Sequence, residues 1–239
     1  MTKNVNNPQR VAAIVVAAGA SRRMSGVDKV FVQVAGKPLL AHSVHILEGT
    51  PEVNSIVLVL TSENMDRGRE LAAAQGWRKV SAICAGGARR QDSVRHGLLA
   101  AAGAEWVVIH DGARPCVDVA LVQRGLDAAK ETGAAIAAVQ VKDTIKVVNR
   151  KMDVTETPSR DRLWAVQTPQ VFQAALLQRA HETVKEDVTD DASMVERIGS
   201  KVKVFQGSYE NIKVTTPEDL AVVELLLQRR GAAKAGAAR

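Results

Sequence analysis

Residues 12–31 have the sequence AAIVVAAGASRRMSGVDKVF, and this stretch decides the fold. Its first residues are small or β-branched and are typical of a buried strand. After Ala18 the composition changes to glycine, serine and the cations Arg22, Arg23 and Lys29. A strand that ends in such a loop is typical of α/β proteins, in which ligands bind outside the carboxyl ends of the strands.

Short β-branched runs alternate along the chain with segments of helical period, as in parallel strands covered by helices. The predicted strands are residues 11–16, 55–60, 80–84, 106–110, 134–141 and 201–205. The predicted helices are residues 39–48, 64–75, 91–101, 119–131, 173–185 and 217–228. The sequence therefore predicts an open, mostly parallel α/β sheet with helices on both faces.

Residues 142–163 interrupt this alternation with the polar, β-leaning sequence KDTIKVVNRKMDVTETPSRDRL. We expect an extended hairpin that projects from the sheet as an arm and needs a partner, because a lone hairpin is marginal in water. A second copy of the chain is the favoured partner, which gives a homodimer through the arm. No internal repeat or Gly/Ser linker divides the rest, so residues 1–228 are expected to form a single domain.

The net charge of +6 does not by itself indicate a nucleic-acid partner. Most of the excess lies in residues 229–239, which are rich in alanine and glycine and are expected to form a flexible basic tail. An aromatic content of 3% also argues against a stacking platform for single-stranded nucleic acid. We therefore expect no nucleic-acid partner.

The expected compartment is the cytoplasm. Cys84 and Cys116 lack the spacing of a metal or redox pair and are interpreted as free thiols in a reducing environment. No apolar run approaches the roughly 20 residues of a membrane span, and the first ten residues lack the apolar segment of a signal peptide. No membrane association is expected.

The loop after the first strand offers backbone donors to an anion, since Ala17, Ala18 and Gly19 have little or no side chain. It matches neither the Walker pattern nor the dinucleotide fingerprint. With Arg23 and Lys29 it suits a polyphosphate, and the alternative is a surface turn with solvated cations.

A second loop of this kind follows the third predicted strand, where residues 85–98 have the sequence AGGARRQDSVRHGL. Gly87 allows a close backbone approach, and Arg90 and Ser93 lie where the next helix begins. Two such loops favour a nucleoside triphosphate, with the base in one loop and the phosphates in the other.

The motif HDGARP places His110 and Asp111 at the end of a buried strand. Asp111 is a candidate for holding a ribose hydroxyl or a water-bridged Mg²⁺ ion, and the alternative is a cap for the turn. His110 is interpreted as structural. No nucleophile and base pair stands out, and a cation-rich site favours phosphoryl or nucleotidyl transfer, which depends on charge neutralisation.

Several motifs together resemble one family. They occur in order between residues 10 and 227: AAGASRRM, AGGARRQDSV, HDGARP, VKDTIK, QTPQVF, TDDASMVE and NIKVTTPEDL. With them the chain resembles the 2-C-methyl-D-erythritol 4-phosphate cytidylyltransferases, which use CTP to make 4-diphosphocytidyl-2-C-methyl-D-erythritol in the non-mevalonate isoprenoid pathway. The resemblance implies a Rossmann-like nucleotidyltransferase sheet with a projecting β-arm.

The resemblance also implies roles for individual residues. Arg23 and Lys29 would neutralise the CTP phosphates and stabilise the transition state, and Lys213 would contact the α-phosphate region. The residues implied in the CTP pocket are Ala17, Ala18, Gly19, Gly87, Arg90, Ser93, Asp111 and Gly112.

The substrate phosphate would be held partly across the dimer. Thr144 and the catalytic Arg160 would reach from the arm into the neighbouring subunit's site, where Arg114 also binds the sugar phosphate. Thr168 and Thr189 would add polar contacts. Mg²⁺ would be held mainly by the triphosphate oxygens, so no metal-ligating cluster of side chains is expected.

The sequence departs from the family at three places. The first is the loop from Arg23 to Lys29, which is one residue shorter than in the family. DKVF replaces a PKQY-like run, so Asp28 precedes Lys29 and could pair with Arg22 or Lys29, and Gly112 stands where alanine is usual. Two alternative functions stay open, a ribitol 5-phosphate cytidylyltransferase and a non-catalytic nucleotide-binding module. The TDDAS motif and the arm favour the isoprenoid enzyme over the first alternative. The presence of Arg23, Lys29 and Lys213 argues against the second.

Overall fold

The computed structural model describes residues 10–19 and 28–237. The strands are β1 Val11–Val16, β2 Gln33–Val34, β3 Lys37–Pro38, β4 Val53–Leu60, β5 Val80–Ala85, β6 Trp106–Asp111, β7 Ala134–Gln140, β8 Val147–Val148, β9 Val154–Glu156, β10 Trp164–Gln173 and β11 Lys203–Gln206. The helices are α1 Leu39–Glu48, α2 Met65–Gln75, α3 Arg90–Ala100, α4 Val119–Thr132, α5 Ala174–Thr183, α6 Asp191–Arg197 and α7 Pro217–Ala237. Within these ranges, no helix is both long enough and apolar enough to cross a membrane.

Seven strands form the central sheet, in the order β11-β7-β10-β6-β1-β4-β5. All neighbouring pairs are parallel except those of β10, which runs antiparallel to β6 and β7. The predicted open and mostly parallel sheet is confirmed. Because the chain leaves β1 toward β4 and β5 and returns on the other side as β6, the order reverses between β1 and β6, where such sheets bind ligands.

The apolar residues of β1 alternate between two cores, as the pleat of a strand requires. Val15 packs in one cluster with Val44 of α1 and Leu121 of α4. Ile14 points to the opposite face and packs in a second cluster with Leu177 of α5. The helices therefore cover both faces of the sheet, which fixes β1 and β6 rigidly at the point where the chain order reverses.

Four elements of the structure are not predicted from the sequence: the two-residue strands β2 and β3, the long strand β10 and the helix α6. β10 contains Gln167, Thr168, Pro169 and Gln170, so its own sequence gives a weak strand signal, and pairing with β6 and β7 determines its conformation. The helix predicted at residues 173–185 begins after this strand, at Ala174.

The last helix is longer than predicted. The sequence predicts that it ends at Gln228 and that a flexible tail follows from Arg229, but α7 continues to Ala237. The alanines of this segment favour helix, and the intervening glycines do not end it. Arg230 is bound to Glu210 and to the carbonyl oxygen of Cys116. The predicted end of the helix at Gln228 is therefore wrong, while the flexibility of residues 229–239 stays a prediction.

β8 and β9 form an antiparallel hairpin of their own, separate from the central sheet. The Asn149 side chain closes its turn by accepting hydrogen bonds from the backbone N–H groups of Lys151 at 2.9 Å and Asp153 at 3.0 Å. Val147 and Val154 are exposed on the hairpin. The predicted hairpin therefore forms within one chain and leaves apolar side chains uncovered, while its role in dimerisation stays a prediction.

Candidate active site

A cavity of about 400 Å³ opens at the carboxyl ends of β1 and β6, a size suited to a small-molecule ligand. It brings together residues that the sequence analysis takes from four separate segments. The predicted site residues that line it are Ala17, Ala18, Gly19, Lys29, Gly87, Arg90, Ser93, Asp111 and Lys213. The predicted convergence of the two glycine-containing loops is therefore present in the fold.

The two loops approach so closely that one position requires glycine. A Cβ atom on Gly86 would lie 2.3 Å from Cβ of Ala18 and 2.8 Å from the Ser93 hydroxyl oxygen. The N–H of Ala17 also donates to the Val59 carbonyl oxygen at 2.8 Å, and the N–H of Gly112 donates to the Val16 carbonyl oxygen at 2.9 Å. The sheet thus continues into the loops and fixes their backbone beside the cavity.

Ser93 is buried and uses its hydroxyl to close the second loop. The oxygen accepts the N–H of Gly87 at 3.0 Å, and the hydroxyl donates to the Arg89 carbonyl at 3.2 Å. These bonds set the entry of the chain into α3. Ser93 therefore shapes the wall of the cavity, and its predicted contact with the nucleotide stays a prediction.

Asp111 is the centre of a cluster of cations. Its carboxylate lies 2.7 Å from Nζ of Lys213, 3.3 Å from Nε of Arg90 and 3.8 Å from Nε of Arg114. Burial alone would raise the pKa of Asp111, but the charges of Arg90 and Lys213 outweigh it and hold the pKa well below its ordinary value. The ionised carboxylate thus gathers cations from three chain segments at the cavity wall.

A second buried carboxylate, that of Asp191, holds Arg90 from the other side. Its Oδ2 lies 2.7 Å from Nη1 of Arg90, and its Oδ1 lies 3.7 Å from Nε2 of His181. The role of Asp191 is not predicted from the sequence. The available signal was the acidic pair in TDDAS, of which Asp190 caps α6 through the N–H of Ser193 at 3.0 Å. Because one acidic residue is enough to cap a helix, the second acid of this pair, Asp191, is available for another role.

His110 and Thr168 support Asp111 from below. The N–H of Asp111 donates to the Thr168 hydroxyl oxygen at 3.0 Å. That oxygen lies 3.1 Å from Nδ1 of His110, whose Nε2 lies 3.1 Å from the Arg114 carbonyl oxygen. A neutral imidazole with its proton on Nε2 satisfies all these contacts. Burial lowers the pKa of His110 to about 4, so the ring is neutral at pH 7. These bonds support the structural interpretation of His110.

The chain is similar to known proteins over most of its length. The family model described as 2-C-methyl-D-erythritol 4-phosphate cytidylyltransferase matches residues 11–229. The chain belongs to this family. A cytidylyltransferase of that name from Dehalococcoides mccartyi is 48% identical over 221 residues, which cover 92% of this chain and 97% of the relative. The chain is therefore a nucleotidyltransferase enzyme.

Similarity to solved structures extends over the same length. The crystal structure of a 4-diphosphocytidyl-2C-methyl-D-erythritol synthase from Anaerococcus prevotii superimposes with a TM-score of 0.82 at 30% identity, covering 93% of this chain and all of that one. The 2-C-methyl-D-erythritol 4-phosphate cytidylyltransferase from Thermus thermophilus gives a TM-score of 0.74 at 31% identity, with 92% and 100% covered. Sequence and fold thus indicate the same family.

In this cytidylyltransferase, Lys29 connects the first loop to the segment that carries Lys213. Its Nζ donates to the Val214 carbonyl at 3.0 Å. The preceding residue, Asp28, accepts a hydrogen bond from the side-chain amide of Asn64, at the start of α2. Asp28 thus anchors the chain just before Lys29, which gives a physical reason for an acid at this position.

The remaining predicted residues lie at the edge of the cavity or away from it. Arg114 is part of the Asp111 cluster, Gly112 follows Asp111 directly, and Thr189 is exposed before α6. Thr144 and Arg160 are exposed on the arm segment and do not line the cavity. Arg22 and Arg23 lie outside the described residues, so the catalytic role that the family implies for Arg23 stays a prediction.

The acidic groups at the site do not form a metal cage. Within residues 10–19 and 28–237, no group of three or more His, Cys, Asp and Glu side chains could hold a metal ion, and Asp111 is the one acid lining the cavity. This donor set fits an ion that takes most of its ligands from phosphate oxygens and water, with Asp111 as the available carboxylate.

Proposed function

We propose that this enzyme transfers the CMP group of CTP to 2-C-methyl-D-erythritol 4-phosphate, giving 4-diphosphocytidyl-2-C-methyl-D-erythritol and pyrophosphate. The observation that carries the proposal is the convergence of Lys29, Arg90 and Lys213 on one cavity where the strand order reverses. These cations suit a triphosphate, and the membership of the family names the acceptor.

The proposed reaction is an in-line displacement. A phosphate oxygen of methylerythritol phosphate attacks the α-phosphorus of CTP, and the bond to pyrophosphate breaks with its electron pair leaving on the pyrophosphate. The attacking group is already an anion, so no general base is required. Lys29 and Lys213 act as preorganised donors toward the charge that develops on phosphate oxygens.

Asp111 orients Lys213 in this scheme. At 2.7 Å it engages one of the donors on Nζ, which leaves the other donors for phosphate oxygens. A divalent cation such as Mg²⁺ would neutralise the triphosphate, held by its oxygens and reached by Asp111, without requiring further protein ligands.

The acceptor site is proposed to be shared between two copies of the chain. Thr144 and Arg160 do not line the cavity of their own chain, and the arm that carries them exposes apolar side chains. A homodimer would cover these side chains and bring the two polar residues to the neighbouring cavity, with Arg114 as the local phosphate contact.

The free thiols of Cys84 and Cys116 support a cytoplasmic location.

The direct test is pyrophosphate release by the purified chain with Mg²⁺, CTP and methylerythritol phosphate, with ribitol 5-phosphate as a parallel acceptor. We expect release with the first acceptor and much slower release with the second. Lys213→Ala should lower kcat by about 10²-fold, the scale of losing one preorganised donor. Lys203→Ala removes a surface ion pair with Glu131, away from the cavity, and should leave the rate unchanged.

Release with ribitol 5-phosphate alone would replace the proposed acceptor, and CTP binding without release would favour the non-catalytic module. Shared sites are tested by mixing Arg160→Ala with Lys213→Ala chains, because a heterodimer contains one intact site. Recovery of activity supports sharing. No recovery, with heterodimers shown to form, contradicts it.

A further inference from the structure

The last helix touches both loops that supply charged groups to the cavity. The Asp111 loop (residues 111–116) follows β6, and the Lys213 loop (residues 207–216) follows β11. Arg230 of α7 donates from Nη1 to the carbonyl oxygen of Cys116 at 2.6 Å and pairs through Nη2 with Glu210 at 2.9 Å. One guanidinium group therefore links the two loops.

The same helix is attached to the Lys213 loop at its beginning. The carboxylate of Asp219 accepts the N–H groups of Thr215 at 2.7 Å and Thr216 at 2.9 Å. Between Asp219 and Arg230 the helix rises by about 16 Å, so it holds the Lys213 loop at two separated points. Helix α7 thus has the geometry of a brace.

The contacts between the two loops show what this brace would control. Arg114 donates to the Asn211 carbonyl at 2.7 Å, the N–H of Val214 donates to the Ala113 carbonyl at 2.8 Å, and Lys213 meets Asp111 at 2.7 Å. Every one of these bonds crosses from one loop to the other. The position of the Lys213 ammonium therefore depends on the spacing of the two loops.

We propose that Arg230 is a positioning residue for Lys213, which it serves by fixing the spacing of the Asp111 loop and the Lys213 loop. Its side chain is largely buried, and its planar guanidinium group bonds to the carbonyl oxygen of Cys116 and to the carboxylate of Glu210 at the same time. Displacing a catalytic group by about 1 Å can cost up to about 10²-fold in rate, so a residue that sets this spacing affects catalysis without touching substrate. The catalytic part of this inference rests on the proposed function.

The chain offers a matched control for the test. Arg229 is the adjacent cation on the same helix and is exposed. We expect Arg230→Ala to lower kcat about tenfold while the KM for CTP stays within about twofold, because binding contacts are kept and alignment is lost. Arg230→Lys should recover part of the rate, since an ammonium can keep one of the two contacts, and Arg229→Ala should match the wild type.

Hydrogen exchange in the absence of substrates provides a readout that does not depend on the reaction. Arg230→Ala should speed amide exchange within residues 207–216 selectively, with the protection of the central strands retained. Unchanged kcat and exchange in this variant would overturn the inference, as would an even loss of protection over the whole chain. If the wild type releases no pyrophosphate, the proposed function fails, whereas selective exchange at the Lys213 loop still supports the brace.

Discussion

The cavity and the arm treat their side chains in opposite ways. Around the cavity, the buried carboxylates of Asp111 and Asp191 are paired with Arg90 within one chain. On the arm, Val147 and Val154 are 43% and 57% exposed, although apolar side chains of this kind gain free energy by burial. The difference teaches that the described charges of the cavity wall are paired within one chain, whereas the arm leaves apolar surface that the proposed dimer would cover.

The largest expected effect is the loss of a charge in the cavity cluster. Asp191→Asn removes the buried carboxylate that pairs with Arg90 at 2.7 Å and leaves that guanidinium only Asp111 at 3.3 Å. Removing one partner of a buried ion pair costs about 3–5 kcal/mol of unfolding free energy. Asp143→Asn makes the same change on the exposed arm segment and should cost less than about 0.5 kcal/mol. Urea unfolding of both variants measures the contrast. Equal losses would remove the distinction between the two regions.

The next effect is a dependence of stability on pH that comes from His110, the buried histidine that is linked to Asp111 through Thr168. His110 has a pKa of about 4 in the folded chain and about 6.5 when unfolded, so the unfolded chain binds more protons between these values. The stability that His110 contributes through this pKa difference is complete above pH 6.5. It is lost as the pH falls toward 4, and the free energy of unfolding decreases by about 3 kcal/mol in total.

This pH effect can be measured by urea unfolding at steps between pH 7 and pH 4.5. His110→Asn should flatten the decline even though it lowers stability at pH 7, because an amide does not titrate in this range. A decline of equal steepness in the wild type and the variant would assign it to other groups.

The smallest expected change in chain stability belongs to the arm. Replacing Val147 and Val154 by serine should shift a dimer toward monomers, while the unfolding free energy of the separate chain changes by less than about 0.5 kcal/mol. Val222→Ser is the control, since Val222 is 47% exposed on α7, away from the arm. Sedimentation over a range of concentrations measures the association. Unchanged association in the double variant would contradict a dimer through the arm.

The sequence predicts those elements whose conformation is determined by their own residues. The β-branched run of β1 and the capped helix α4 both lie where the periodicity predicts them, and the small-residue loops lie at the predicted cavity. Each of these signals is local. Their meeting point follows from a general rule of parallel sheets, so it could be predicted without knowing the packing.

The features that sequence analysis misses depend on distant partners. β10 is a strand because β6 and β7 supply its hydrogen bonds, and Asp191 is buried because Arg90, about a hundred positions earlier, neutralises it. Arg230 looks like part of a basic tail until Glu210 and Cys116 are seen beside it. Local propensity contains no information about such pairings.

The base of the arm is closed by the sheet itself. The N–H of Val141 donates to the Leu163 carbonyl oxygen at 3.1 Å, and Trp164 of β10 pairs with Gln140 of β7. Both ends of the arm therefore lie side by side, where these two strands are hydrogen-bonded to each other. The entropic cost of closing such a loop grows only slowly with its length. The arm can therefore change in length without changing the register of Trp164 and Gln140 at the start of the strand that leads to Thr168 and the cavity.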